Sequence, residues 1–314
     1  MIVFGPVPSR RLGQSLGINN IPPKVCSYCC VYCQVGKAGK MGTERRAFYG
    51  VEEIAGRVRE KLHLLQGKGE RIDYITFVAD GEPTLDADLG EEIRALKDTG
   101  IPVAVISNAS LAWREDVRKE LEEADWVSLK VDAAREETWK RINRPCRELA
   151  FPEILEGIRT FAAEYEGVFV TETMLIRGVN DSKEEVTGIA EFLRDVKPRT
   201  VFLGIPTRPP AEKWAGVPDE RSIASAYAIL SRRSLAVELL TGYGGTTFGF
   251  SGDVEEDVLA TASVHPMRHE QVGDLLKKAG AEWTVIEDLV KREKLKKVEY
   301  DGRTYYIRNL HAQR

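Results

Sequence analysis

The chain has 314 residues, 43% of them hydrophobic and 30% charged, with a formal net charge of −4. That is globular composition for one large domain, or a large and a small one, and the charge demands neither nucleic acid nor a membrane as partner. No apolar run nears the length of a spanning helix and no basic-then-apolar leader opens the chain, so a cytoplasmic protein is expected.

In chain order, Pro6, Val7, Pro8, Ser9, Arg10 and Arg11 precede a first predicted strand at 15–19. The two arginines suit a phosphate or carboxylate, or a solvated arm. Four of the five cysteines then fall within eight residues, at Cys26, Cys29, Cys30 and Cys33. In a reducing compartment, clustered cysteines are more often metal ligands or catalytic groups than disulfides. Two arrangements fit. Cys26-x-x-Cys29 with Cys30-x-x-Cys33 offers four thiolates to a tetrahedral zinc ion, although the pairs abut and adjacent side chains diverge. Cys26-x-x-x-Cys30-x-x-Cys33 leaves Cys29 spare and offers three thiolates to a [4Fe–4S] cluster, whose fourth iron then lacks a protein ligand. Such an open corner is where a substrate or cofactor binds.

Strand and helix alternate beyond the cysteines. Val51, Ile54, Ala55, Val58, Leu62 and Leu65 follow the helical repeat. Short apolar runs at 73–79, 102–107, 126–131, 168–176, 200–205 and 235–240 suit a parallel sheet covered on both faces. A charged segment at 114–124 keeps Val117, Leu121 and Ala124 on one stripe, and Ser182 with Glu185 reads as a capping box before Val186, Ile189, Ala190 and Leu193. The fold class is α/β, a barrel or a doubly wound sheet.

Polar residues gather at the strand ends, where a barrel places its chemistry. They are Asp80-Gly81-Glu82-Pro83, then Ser107-Asn108, then Lys130 and Asp132, which share one side of their strand. Glu172 and Arg177, Thr207-Arg208-Pro209-Pro210, and Thr241-Gly242-Tyr243 follow as substrate-side candidates. Glycine and proline also mark plain turns, serine and asparagine also cap helices, and Lys130 with Asp132 equally suits an ion-pair layer. His63, His265, His269 and His311 fall at no predicted strand end and receive no role. Cys146 stands alone as a small side chain.

The pattern changes near residue 250. Helical segments at 254–263, 270–279 and 283–293 precede a hairpin over 297–307 that turns at Asp301-Gly302. Three helices and a hairpin make a winged-helix pattern. Domains at 1–250 and 251–314 are expected, hinged at Ser251-Gly252-Asp253.

Cys26-x-x-x-Cys30-x-Tyr32-Cys33 resembles the CxxxCxΦC signature of the radical S-adenosylmethionine (radical SAM) superfamily, with Tyr32 at the aromatic position. Gly81-Glu82-Pro83 resembles that superfamily's GGEP motif, with Asp80 in place of the first glycine. The resemblance implies a partial (β/α)6 TIM-like barrel, and the pattern after residue 250 adds a small winged-helix domain. The resemblance also implies a [4Fe–4S] cluster on Cys26, Cys30 and Cys33, and S-adenosyl-L-methionine (SAM) held by Tyr32, Gly81, Glu82, Pro83, Ser107 and Asn108; Lys130 and Asp132, from their place at the barrel mouth, are further cofactor-binding candidates. One electron from a flavodoxin- or ferredoxin-like reductant would split SAM, and the resulting 5′-deoxyadenosyl radical would take hydrogen from a substrate. The strings Gly5 to Gly13, Pro22-Pro23-Lys24, Gly81 to Leu85, Ile142 to Pro145 and Arg177 to Asp181 are similar to the Fe–S oxidoreductase group related to wyosine-tRNA synthases. Those synthases hold a second cluster with three further cysteines. Only Cys29 and Cys146 are spare here, so a different substrate is expected, with RNA and peptide modification as candidate classes. The rival reading is a zinc-stabilised winged-helix protein binding nucleic acid through 283–292 and a wing carrying Lys296, Lys297 and Arg303.

Overall fold

The computed structural model describes residues 2–240 and 248–309. Thr241, Gly242, Tyr243 and His311 from the sequence reading lie outside the described residues. Eight strands form the main sheet: β1 (Val3–Ser9), β2 (Gly13–Ile18), β5 (Tyr74–Phe77), β6 (Val103–Ser107), β7 (Trp126–Lys130), β8 (Val168–Met174), β9 (Thr200–Gly204) and β10 (Val237–Leu240), hydrogen-bonded in that order. The intervening β3 (Val25–Cys26) and β4 (Lys40–Met41) pair with each other within the cysteine-bearing segment. From β2 to β10 every pairing is parallel, and β1 returns antiparallel on β2. The sheet is a curled half-barrel of the TIM type.

It has two strands more than the six of the expected barrel: β2 is the strand predicted at 15–19, and β1 is formed by residues placed before it. The prolines at 6 and 8 cannot donate to a ladder, so this run is confined to a sheet edge, where β1 lies.

Helices α1 (Val51–Gln66), α2 (Leu89–Ala95), α3 (Glu115–Leu121), α4 (Glu136–Asn143), α5 (Phe151–Glu164), α6 (Lys183–Val196) and α7 (Glu220–Ser231) cover the outer face. Each strand alternates between that face and the interior. Val103, Val105, Val127, Leu129, Phe169, Val201 and Leu203 join the helices in one core, which includes Ile54, Ala55, Val58, Leu62 and Leu65 of the predicted α1 stripe but not Val51. Inside the curl, Leu12 from the β1–β2 turn packs on Ala104, Trp126, Val170 and Phe202 and fills the floor of the barrel. At α6, Ser182 Oγ accepts from Glu185 N at 3.2 Å, as the capping pattern predicts.

The tail comprises α8 (Val254–Val264), β11 (Met267–Arg268), α9 (His269–Ala279), α10 (Thr284–Lys291), β12 (Leu295–Tyr300) and β13 (Arg303–Arg308). Its three strands form a sheet in the order β11-β13-β12, so the predicted hairpin gains a third, short strand. The tail shares an apolar core with β1, through Phe4 and Val7 against Phe248, Val258, Leu259 and Met267. Tyr305 OH donates to Thr207 O at 2.9 Å, Tyr300 OH to Pro206 O at 3.1 Å, and Gln34 Nε2 to Val264 O at 2.7 Å. The tail therefore touches both the first strand and the loop after β9. Among the described residues, no helix is long and apolar enough to cross a membrane.

Behind the 82–86 loop, Asp86 and Glu92 are both 0% exposed. Asn20 Nδ2 donates to Glu92 Oε2 at 3.1 Å. Burial raises the pKa of both carboxyls, and each also feels the other. The folded state thus keeps protons that the unfolded chain releases above about pH 4. Stability should fall as pH rises from there through the folded pKa values. Denaturant titrations from pH 5 to 9 should show this fall, and Glu92→Gln, which removes one titrating group, should flatten it. Parallel curves for the two proteins would contradict the assignment.

Candidate active site

The segment carrying the cysteines has almost no regular structure, and two neighbours hold it by backbone hydrogen bonds. On one side lies the turn after β5. Lys24 N donates to Asp80 O at 2.8 Å and Glu82 N donates to Val25 O at 3.1 Å. Gly81 sits between these bonds, and a Cβ there would stand 1.8 Å from Val25 O. Only glycine permits this approach.

On the other side lies the end of α4. Cys29 N donates to Asn143 O at 3.0 Å, Val31 N to Ile142 O at 2.9 Å, and Cys146 N to Ser27 O at 3.0 Å. Tyr28 bridges antiparallel to Pro145, and its hydroxyl accepts from Trp139 Nε1 at 3.0 Å. The sequence reading missed this brace. Cys146 was set aside as remote, yet its backbone lies against the loop.

Glu82 ties the strand ends together from within. Its Oε1 accepts from Thr84 N at 3.1 Å, Thr84 Oγ1 at 2.7 Å and Ser107 Oγ at 2.7 Å, while Oε2 accepts from Asn108 N at 2.7 Å. Burial raises this carboxyl's pKa while the four donors oppose the rise. Asn108 Nδ2 in turn donates to Ser27 Oγ at 3.0 Å and to Cys26 Sγ at 3.5 Å. Ser107 and Glu82 thus shape the site through their bonds, and Asn108 reaches a thiol directly.

Burial is the first cause raising the pKa of Cys26, Cys30 and Cys33, with Cys30 pushed up to about 12. Cys26 feels Cys30 and Cys33, Cys30 feels Cys33, and Cys33 feels Cys29. Thiols this close, costly to ionise where they stand, suit a cationic metal centre that takes them as thiolates. Polar hydrogens already point at two sulfurs: Tyr28 N at 3.5 Å and Asn108 Nδ2 to Cys26, and Asn143 Nδ2 at 3.4 Å to Cys30. Hydrogen bonds of this kind tune iron–sulfur centres. The donor set fits such a cluster.

Deeper in, Tyr32 OH donates to Asp132 Oδ2, which also accepts from Asn143 Nδ2 at 2.8 Å. Lys130 Nζ lies 5.2 Å from the centre of the Tyr32 ring and donates to Glu172 Oε1 at 2.5 Å. The expected partnership of Lys130 with Asp132 is therefore divided between two other groups. Asp80, at the motif's missing glycine, is 3% exposed, and burial pushes its carboxyl up to about 7. Of the substrate-side candidates, Glu172 faces the interior, whereas Arg177 is exposed at the surface. Arg208 meets Gln34, one residue beyond Cys33, and His265, a histidine given no role from sequence.

The profile of the radical SAM superfamily matches residues 20–193. A UPF0026 protein of Methanocaldococcus jannaschii is 46% identical over 99% of this chain and 97% of its own length. A UPF0026 protein of Helicobacter pylori is 38% identical over 68% of each chain. Among solved structures, TYW1 with a lysine–pyruvate adduct bound superposes with a TM-score of 0.56 at 18% identity, covering 71% of this chain and 75% of that one. A radical SAM methyltransferase from Sphaerobacter thermophilus gives a TM-score of 0.54 at 17% identity, covering 73% and 67%. At such identities these two structures speak for the fold.

Gly81→Ala should force the two flanking backbone bonds apart and cost about 1–3 kcal/mol, the net worth of two hydrogen bonds. Gly39→Ala is the control, because its Cβ would meet Lys24 Cβ at an ordinary 3.6 Å. Denaturant unfolding, with iron content after anaerobic reconstitution, should show losses in the first variant only.

Proposed function

The chain belongs to the radical SAM superfamily, within its UPF0026 group, and from that premise we propose that Cys26, Cys30 and Cys33 ligate its [4Fe–4S] cluster while Cys29 stays spare. The protein is a radical SAM iron–sulfur enzyme, and it requires a reductant and a substrate. When bound, the cluster and SAM supply a 5′-deoxyadenosyl radical that takes a hydrogen atom from substrate. The observation that carries the ligand assignment is the set of polar hydrogens aimed at Cys26 Sγ and Cys30 Sγ, from Tyr28 N, Asn108 Nδ2 and Asn143 Nδ2, on a segment held beside Gly81 and Glu82 on one side and Asn143 on the other.

The chain's own residues supply position. In this proposal the backbone at Gly81, Glu82 and Pro83 receives the amino end of SAM, shaped from behind by the Glu82 carboxylate. Ser107 fixes that carboxylate, and Asn108 spans from it to the cysteine segment. Asp132 and Lys130 fix the ring of Tyr32, which offers its face to adenine. A flavodoxin- or ferredoxin-like protein is the proposed reductant.

We divide the chain at about residue 250, with the tail read as a winged helix that packs on the barrel. Its proposed recognition helix lacks a free positive excess. Arg292 pairs with Glu255 at 2.8 Å and with Asp288 at 2.6 Å, and Lys294 pairs with Glu255 at 3.0 Å. Phosphate binding wants the reverse. Closing the barrel edge fits these contacts better than docking RNA.

Anaerobic reconstitution should load about four irons and four sulfides per chain. After reduction, SAM alone should yield 5′-deoxyadenosine, measured by liquid chromatography. Cys26→Ala, Cys30→Ala and Cys33→Ala should each abolish this, and Cys29→Ala should retain most of it. Loss in Cys29→Ala equal to the others would refute the three-ligand assignment.

A further inference from the structure

Residues 20–43, which include the four clustered cysteines, contain Lys24, Lys37 and Lys40 and no aspartate or glutamate. The whole chain has more acidic than basic residues, so the charge is locally reversed here. Folding brings further cations to the same place. Lys37 Nζ lies 3.1 Å and Arg144 Nη1 2.6 Å from one oxygen, Glu212 Oε1. Glu212 N donates to Val31 O at 2.9 Å, which holds the neighbouring Lys213 and Trp214 beside the cysteine segment. On the other flank, a Cβ on Gly36 would stand 3.7 Å from Lys24 Nζ. Lys24 O accepts from Lys40 N at 3.3 Å, and Met41 of β4 is the register partner of Cys26. Contacts on the page therefore join these cations across the segment, and two of them share the Glu212 carboxylate.

The groups face solvent. Lys40 and Lys213 are exposed, and the Lys37 side chain keeps 64% of its area. Met41 is 40% and Trp214 47% exposed. Exposed methionine and tryptophan among cations are what protein interfaces concentrate.

The backbone of this surface also reaches two of the proposed ligands. Gly42 N donates to Cys26 O at 3.3 Å, and Gly36 N to Cys33 O at 3.2 Å. The interior side of the segment belongs to Tyr32, which meets Asp132 and Lys130 there. A substrate that meets the radical inside the barrel does not need the outer surface. A donor of electrons does.

Resting on the radical SAM reading, we propose that the surface from Lys40 and Met41 across Lys37 and Arg144 to Lys213 and Trp214 is the docking site of the reductant, an acidic one-electron carrier protein. Its cations steer the carrier's carboxylates into place, and Met41 and Trp214 supply apolar contact. Redox encounters of this kind bury little surface, under about 1,200 Å² in total, so a patch of this size suffices. In the transfer, the carrier's reduced flavin or iron–sulfur centre loses one electron, which reduces the cluster held by this chain. No covalent bond forms or breaks. An acidic protein is favoured over RNA because the surface adjoins the thiol segment from outside, where electrons enter.

The test is calorimetric titration of the reconstituted full chain with an acidic flavodoxin and, separately, an acidic ferredoxin, at low and at physiological ionic strength. Saturable binding of at least one carrier, weakened by salt, is expected. Lys40→Glu with Lys213→Glu should weaken it about tenfold, whereas Lys40→Arg with Lys213→Arg should retain it. Trp214→Ala should weaken binding and leave its salt dependence in place. In the charge-reversed protein, 5′-deoxyadenosine formation driven by the reduced carrier should fall in step with binding, while formation driven by photoreduced deazariboflavin, which is uncharged, should keep its rate. A structural defect would lower both rates, and that outcome overturns the proposal. So would the absence of saturable binding by either carrier, or equal affinity after charge reversal. Displacement of the carrier by an RNA oligonucleotide at physiological ionic strength would assign the surface to a polyanionic substrate and also overturns it. Cleavage of SAM by the wild-type protein with deazariboflavin decides the radical reading separately, so the two can fail independently.

Discussion

The segment that carries the cysteines has little regular structure beyond the short β3–β4 pair and depends on its neighbours for its place. Its shape comes from backbone hydrogen bonds to the turn after β5 on one side and the end of α4 on the other. Gly81 lets the first contact form at a distance no side chain tolerates. Glu82 then fixes that turn to the end of β6 through the bonds it accepts from Ser107 Oγ and Asn108 N, while two more from Thr84 hold it within the turn. The metal-binding geometry is thus a property of the barrel's rim, and the cysteine spacing expresses it.

The interior below this rim is built in layers. An apolar floor closed by Leu12 carries a charged row, and the aromatic and thiol groups lie toward the mouth. The β1–β2 hairpin supplies both Leu12 and Arg11, so a strand pair at the sheet edge determines much of what the interior offers. The tail rests on that same edge strand and on the loop after β9. Its contacts with Gln34 and Arg208 connect the tail to the residue next to Cys33.

Local chemistry was legible in the sequence wherever neighbouring residues created it. The six apolar runs became β5 to β10, the α1 stripe was buried except for Val51, Ser182 capped α6, and three helices with a hairpin appeared in the tail. What could not be read depended on distant pairings. The exception is β1, whose residues were read as lying before the first strand and which forms by a local hairpin with β2 at the sheet edge. Arg11 was left between an anion-binding group and a solvated arm, because nothing local shows that its turn brings it to Glu172. Cys146 looked isolated because its brace on Ser27 spans more than a hundred positions. Lys130 and Asp132 were rightly placed on one side, but their partners Glu172 and Tyr32 come from other elements.

The central claim is that three thiolates on a rim-held segment leave one iron of the cube free for SAM. Mössbauer spectroscopy of protein reconstituted with ⁵⁷Fe, before and after SAM is added, tests it most directly. The account predicts that one iron in four changes its isomer shift on adding SAM while the other three keep theirs. A spectrum that SAM leaves unchanged, with four equivalent thiolate-ligated irons, would contradict it.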